Sequence, residues 1–110
     1  MPLFISYVSY SQTGIKGMVD KPTDRTSVVN VMVEKAGGKL HGAYMTTGQH
    51  DAVLVMELPD GADAVAIGMA AAASGAIGNI ETVRAWKMSD FKAIAEKAAS
   101  FSSVYVPPGK

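Results

Sequence analysis

Cysteine is absent from this chain, and that one absence removes a disulfide framework, a thiolate nucleophile and every thiolate-ligated zinc or iron–sulfur site. Net charge is absent too: 10 Lys plus Arg balance 10 Asp plus Glu, so no bulk electrostatic pull toward nucleic acid or an anionic membrane surface is expected. Long apolar runs are missing. The most membrane-like stretch, Ala62 to Ala76, is shorter than the about 20 strongly apolar residues that a span requires, and it is built on alanine, which adds little hydrophobic drive. The opening residues Met1-Pro2-Leu3-Phe4 carry no basic segment or small-residue cleavage site, so the expected location is the cytoplasm. Charge of either sign is also scarce, 18% of residues against 48% hydrophobic, which is thin polar cover for a monomer.

What is present reads as one domain over residues 1–103, followed by a tail over 104–110 that is either disordered or lies across a neighbouring subunit. Leu3 to Tyr10 is rich in aromatic and β-branched residues and predicts a strand with no plainly polar face. Thr13 to Lys21 is a short amphipathic piece stopped by Pro22. A helix capped by Thr23 or Asp24 follows, its core stripe read as Val28, Val29, Val31, Met32 and Ala36, and Gly37-Gly38 ends it. Lys39 to Thr47 and Asp51 to Leu58 flank Gly48-Gln49 as an antiparallel hairpin, whose second arm is apolar enough for a central strand. Pro59-Asp60-Gly61 terminates that arm. Ala62 to Ala76 predicts a helix of small side chains lying close to a sheet or a partner. Ile80 to Lys87 then predicts a strand, and Ser89 caps a helix from Asp90 to about Ser100.

This order is the split βαββαβ pattern of an α+β, ferredoxin-like antiparallel sheet with strand order 4-1-3-2, helices on one face and an extra C-terminal helix. The other face needs cover that the chain does not have, and a second copy is the simplest source, in a dimer or a larger homo-oligomer.

Chemistry-bearing residues are few. His41, His50 and Asp51 are the candidates for base or ligand roles, with Tyr44 nearby. A hairpin turning at Gly48-Gln49 places His41 and His50 about 20 Å apart at roughly 3.3 Å per residue, so one chain cannot bring both to one ion, and no metal site is expected. Asp51 reads as a group that satisfies backbone amides at the hairpin end, with His50 half exposed. Lys16, Arg25 and Arg84 can gather a carboxylate or phosphate, or can be solvated or paired with Asp20, Glu34 or Glu81. Tyr7, Tyr44 and Trp86 can shape an apolar pocket beside them. The glycines never assemble into a GxGxxG or Walker loop, the third strand has neither the aromatics nor the basic neighbours of an RNA-reading sheet, and no GxSxG, HExxH or paired-carboxylate signature occurs. No cofactor and no nucleic-acid or membrane partner is expected.

Gly14-Ile15-Lys16, Pro22, Arg25, Gly37-Gly38-Lys39, Gly42-Ala43-Tyr44, Thr47-Gly48-Gln49-His50-Asp51, Pro59-Asp60 and Gly78-Asn79-Ile80-Glu81-Thr82 together resemble the GYD domain family of small bacterial proteins over residues 3 to 95. The most specific piece is Gly48-x-His50-Asp51, where the family motif has Gly-x-Tyr-Asp; His50 in place of tyrosine leaves any role resting on a phenol there unsupported. The resemblance implies a ferredoxin-like fold akin to the dimeric α+β barrels and a bacterial origin, and brings no activity with it. Its matching positions Gly48, Asp51, Gly78, Asn79 and Thr82 shape turns in the simplest reading.

The leading expectation is therefore a homo-oligomeric module that binds a small-molecule ligand or a partner. The alternatives are a small enzyme of the dimeric α+β barrel type, a cofactor-independent oxygenase or isomerase with a histidine base, or a haem-binding protein with His41 or His50 as axial ligand.

Overall fold

A computed structural model describes residues 1–110. Its elements are β1 (Leu3–Tyr10), α1 (Gln12–Asp20), α2 (Thr26–Lys35), β2 (Lys39–Met45), β3 (Ala52–Glu57), α3 (Gly61–Ala73), β4 (Ile77–Ala85) and α4 (Phe91–Ser102), with a single 3-10 turn, Met88–Asp90, leading into α4. The four strands form one antiparallel sheet in the order β2-β3-β1-β4, the ferredoxin-like arrangement expected from the element order. The two-sided apolar strands β1 and β3 occupy its centre.

Alternation along β1 decides the layers. Phe4, Ser6 and Val8 are buried under the helices, with Ala52 and Met56 beside them on β3. Val33 of α2, Ala64 of α3 and Leu58, just past β3, close this core with Phe4 and Met56. The one buried polar side chain, Ser6, shares a 2.7 Å hydrogen bond with the Thr82 hydroxyl opposite it on β4, so the inward-facing hydroxyl is satisfied.

Several boundaries differ from the sequence expectation, each for a local reason. The Thr13–Lys21 piece is part of a full helix, α1, because the Ser11 hydroxyl accepts from the Gly14 amide and caps it. In α2 the buried position is Val33, while Val28 and Val31 are 40% and 65% exposed, so the stripe is turned toward Val29, Val33 and Ala36. Neither Thr23 nor Asp24 is the N-cap; Arg25 holds that position, and Asp24 instead accepts from the free Thr26 amide at 2.9 Å. The stop at Gly37-Gly38 is a Schellman closure: Gly37 takes φ +85, its amide donates to Glu34 O and that of Gly38 to Val33 O.

Asp60 caps α3 in a reciprocal box with Asp63. The helix ends at Ala73 because Gly75, at φ +82, turns the chain, and β4 therefore starts at Ile77 and runs through Gly78-Asn79. At the far end Ser89 caps nothing; it lies inside the 3-10 turn, and no side chain caps α4. The hairpin turns through Gly48, at φ +91, with Met45 opposite Ala52 as the last ladder pair.

Candidate functional site

Two surfaces, on opposite faces of the sheet, collect the chemistry-bearing side chains. On the helix side, β1 ends at Tyr10 and the chain turns at Ser11, whose hydroxyl donates to Gly75 O at 2.6 Å and ties the start of α1 to the end of α3. α1 lies so close there that a Cβ on Gly14 would run into the Ala76 carbonyl, and glycine is required for the approach. α1 then carries the chain past Pro22 to Arg25 at the head of α2. Tyr10 and Arg25 consequently share one cleft.

A small, partly open cavity of about 80 Å³ lies between α2, α3 and the sheet, walled by Val8, Val29, Met32 and Ile67, with Tyr10 and Arg25 also lining it. Tyr10 and Arg25 recur in two wider grooves that open from this point. One of about 520 Å³ adds Thr13, Lys21 and Thr23, and the other, of about 470 Å³, adds Asp24, Thr46 and Asp51. The only contacts between basic and acidic side chains are Lys16–Asp20 and His41–Glu57, so the Arg25 guanidinium and the Lys21 ammonium carry no carboxylate partner. Both carboxylates in the grooves are committed to backbone: Asp24 to the Thr26 amide, and Asp51, through Oδ2, to the Tyr10 amide at 2.9 Å. The Thr26 hydrogen bonds hold the Asp24 carboxyl below its ordinary value. An apolar pocket with an unpaired guanidinium at its mouth suits an organic anion with a hydrophobic body.

On the open face, Tyr7 and His50 stack with ring centroids 5.2 Å apart and planes tilted by 41°. His50 Nδ1 is buried there without a hydrogen-bond partner. Tyr44, 60% exposed, lies on the same face, its ring filling the space that a side chain on Gly42 would take. His41 is the extra residue of a β-bulge between Leu40 and Gly42 and pairs with Glu57 at 3.1 Å. The two histidines thus stand toward opposite ends of the hairpin, and no cluster of three His, Asp or Glu side chains that could hold a metal ion is present.

The remaining cations are elsewhere. Lys16 pairs with Asp20 at 2.8 Å on exposed α1, away from both surfaces. Arg84 lies over the Trp86 ring at 4.2 Å and 5.9 Å from the Phe4 centroid, and it donates to the Leu3 and Ala85 carbonyls. It acts as a clasp at the end of β4, and Trp86 beside it is 56% exposed. The structure therefore brings Tyr7 and His50 together, sets Arg25 apart in the helix-side cleft, and joins Arg84 to Trp86. Tyr10 and Lys21 belong to the cleft although their sequence surroundings do not single them out. For Tyr10 the signal was strand alternation, which puts it on the Phe4–Val8 face; for Lys21 no local signal exists.

No helix is long and apolar enough to cross a membrane. Among curated proteins none matches the chain. Residues 4–95, which include both surfaces and the first residues of α4, match the GYD domain. With more than four fifths of its length matched, the chain belongs to the GYD domain family.

Proposed function

We propose that this protein is a small cytoplasmic, self-associating module that binds an organic anion in the helix-side cleft of each subunit. The observation that carries the self-association is the open face of the sheet. By strand register Leu3, Ile5 and Tyr7 of β1 stand beside Val53 and Val55 of β3 and Val83 of β4, and no helix of the chain covers them. This central apolar patch, with Glu57 beside Leu3 and Glu81 beside Tyr7 at its margins, is stabilised by a second sheet packed against it, each square ångström withdrawn from water contributing about 25 cal/mol before association costs. An isologous pair of these faces satisfies both copies at once.

Native mass spectrometry of the protein as purified tests the association. Masses at multiples of one chain are expected, and Val55→Lys, which places a charge at the centre of the face, should at least halve the assembly mass. A wild-type protein that is monomeric at micromolar concentration overturns the reading.

The ligand half rests on Arg25. A medium-chain carboxylate such as octanoate should raise the melting temperature of the wild type, and Arg25→Gln should weaken its binding about tenfold, the loss of one charge-assisted contact worth roughly 1.5 kcal/mol. Equal binding by both proteins removes Arg25 from recognition. The Tyr7–His50 stack favours a second reading, an enzyme of the dimeric α+β barrel type with His50 as base. In that case His50→Ala abolishes turnover while leaving the assembly mass unchanged. Haem ligation is separable from both: titrated haem gives a Soret band that one histidine substitution, at 41 or 50, removes.

A further inference from the structure

The chain exposes much more surface than a protein of its mass should. Its accessible area is 7805 Å², whereas a compact monomer of 11.5 kDa has about 5,800 Å². The excess of about 2,000 Å² per chain exceeds twice the roughly 800 Å² that each partner buries in a stable interface. One sheet face does not account for it. The radius of gyration, 17.9 Å, against about 13 Å for a compact chain of this length, locates the rest: the molecule is 61 Å long because α4 projects from the body.

α4 is amphipathic, and its one substantial contact is with the 3-10 turn that leads into it. Phe91, Ile94, Ala98 and Phe101 recur at i, i+3, i+7 and i+10, Phe91 and Phe101 are 66% and 62% exposed, and no residue of the helix is buried. Lys92, Glu96 and Lys97 leave that stripe free of charge. The other anomaly is α3. After Asp63 it carries no charged side chain, so its solvent side is as apolar as its sheet side, with Val65 and Met69 63% and 68% exposed. A helix apolar all round is ordinarily covered on all sides. Along α3 a groove of about 410 Å³ runs between Gly61, Ala64, Gly68 and Ala72 on the helix and Ile80 and Thr82 of β4. Small residues one turn apart let another helix approach closely, and the lengths agree: 13 residues in α3 and 12 in α4, or about 20 and 18 Å at 1.5 Å per residue.

We infer that the α4 arm of one copy docks its Phe91–Ile94–Ala98–Phe101 stripe into the α3–β4 groove of a second copy, in reciprocal exchange. The occupant is a second copy and not the arm's own body because of the connection. β4 ends at Ala85, Lys87 is extended at φ −66 and ψ 147, and the 3-10 turn at Met88 runs straight into α4 as one rod. To reach its own groove the rod would have to reverse within Trp86 and Lys87, where Trp86 is held under Arg84. The groove and the open face lie on opposite sides of the sheet, so arm exchange goes beyond sheet-face association and proceeds without it.

The absence of native cysteine makes the test direct. Ala98→Cys near the middle of the arm and Met69→Cys near the middle of the groove are made in separate full-length chains bearing tags of different size, mixed, and treated with a short bismaleimide. The expected product is a covalent heterodimer at least tenfold more abundant than either homodimer. If both thiols placed in one chain link only at monomer mass, the arm folds on its own body and the inference falls; no link in either arrangement overturns it as well. Val55→Lys should leave the heterodimer yield unchanged, whereas Phe101→Asp should reduce it at least tenfold without altering the circular-dichroism spectrum of the folded body. Loss of the link with Val55→Lys overturns arm exchange as an independent contact while leaving sheet-face association standing.

Discussion

Glycines 14 and 17 are three residues apart in α1, and their surroundings assign them opposite roles. A methyl group on Gly14 meets the Ala76 carbonyl, whereas one on Gly17 meets nothing within 4 Å. Gly14→Ala should therefore lower stability by about 1–3 kcal/mol, the usual cost of overpacking. Gly17→Ala should raise it by roughly 0.5–1 kcal/mol through helix propensity, and chemical denaturation of the two variants measures both signs. Asp24 shows a second residue-level effect. Its carboxyl titrates below the ordinary value of 3.8 because it accepts from the Thr26 amide and hydroxyl. A depressed folded-state value means that its contribution is complete above the unfolded value and is lost as pH falls through the folded one. An NMR titration should place the Asp24 midpoint below 3.8, with the Thr26 amide resonance moving in step. Movement of that resonance with an unshifted carboxylate midpoint would exclude this origin.

At the scale of elements, the helix layer is held by a small core in which Met56, Leu58 and Val33 are the largest fully buried side chains. Met56, the last residue but one of β3, is 1% exposed in the core, so Met56→Ala should cost about 2–5 kcal/mol, read from the shift of the denaturation midpoint. Met69, on the outer side of α3 and 68% exposed, is the internal control: its replacement by alanine should leave the stability of an isolated subunit within about 0.5 kcal/mol. A cost at Met69 comparable with that at Met56 would show that α3 is covered within its own chain. The bulge at His41 is an element-level device of another kind. It puts one extra residue into β2 and sets the imidazole against the Glu57 carboxylate, an edge-strand contact that contributes at most about 1 kcal/mol because both groups are partly exposed.

For the whole molecule, two unpartnered apolar regions on opposite sides of one sheet predict an assembly with two kinds of contact. Val55→Lys and Phe101→Asp should each lower the native mass to an intermediate size, and the two substitutions together should yield the monomer. Light scattering across the three variants separates these outcomes. A single substitution that reaches the monomer outright would mean that only one of the contacts exists. The Arg25 cleft lies on the helix side of the sheet, away from the open face on which the proposed sheet-face contact would form.

The element order, the central place of the two-sided apolar strands β1 and β3, and the stop at Gly37-Gly38 follow from the chain alone. Each depends on local pattern, whether alternation in a strand, a small-residue helix or a glycine free to take positive φ. The matching of the GYD domain was legible from short motifs, but not all of them shape turns: Gly48 turns the hairpin, whereas Gly14-Ile15-Lys16 lies in α1, Gly42-Ala43-Tyr44 in β2, and Gly78, Asn79 and Thr82 inside β4. Other properties are set by neighbours far away in sequence. Whether Gly75 or Gly78 turns the chain after α3 depends on how the loop meets Ser11, and which valine of α2 is buried depends on where Phe4 and Leu58 stand. Tyr10 and Arg25 are separated by a whole helix and share a pocket only because α1 folds back against Ala76. The sequence also shows that a terminal helix exists; that it stands away from the body with its apolar stripe uncovered is a tertiary outcome, because the short connection after β4 points it outward.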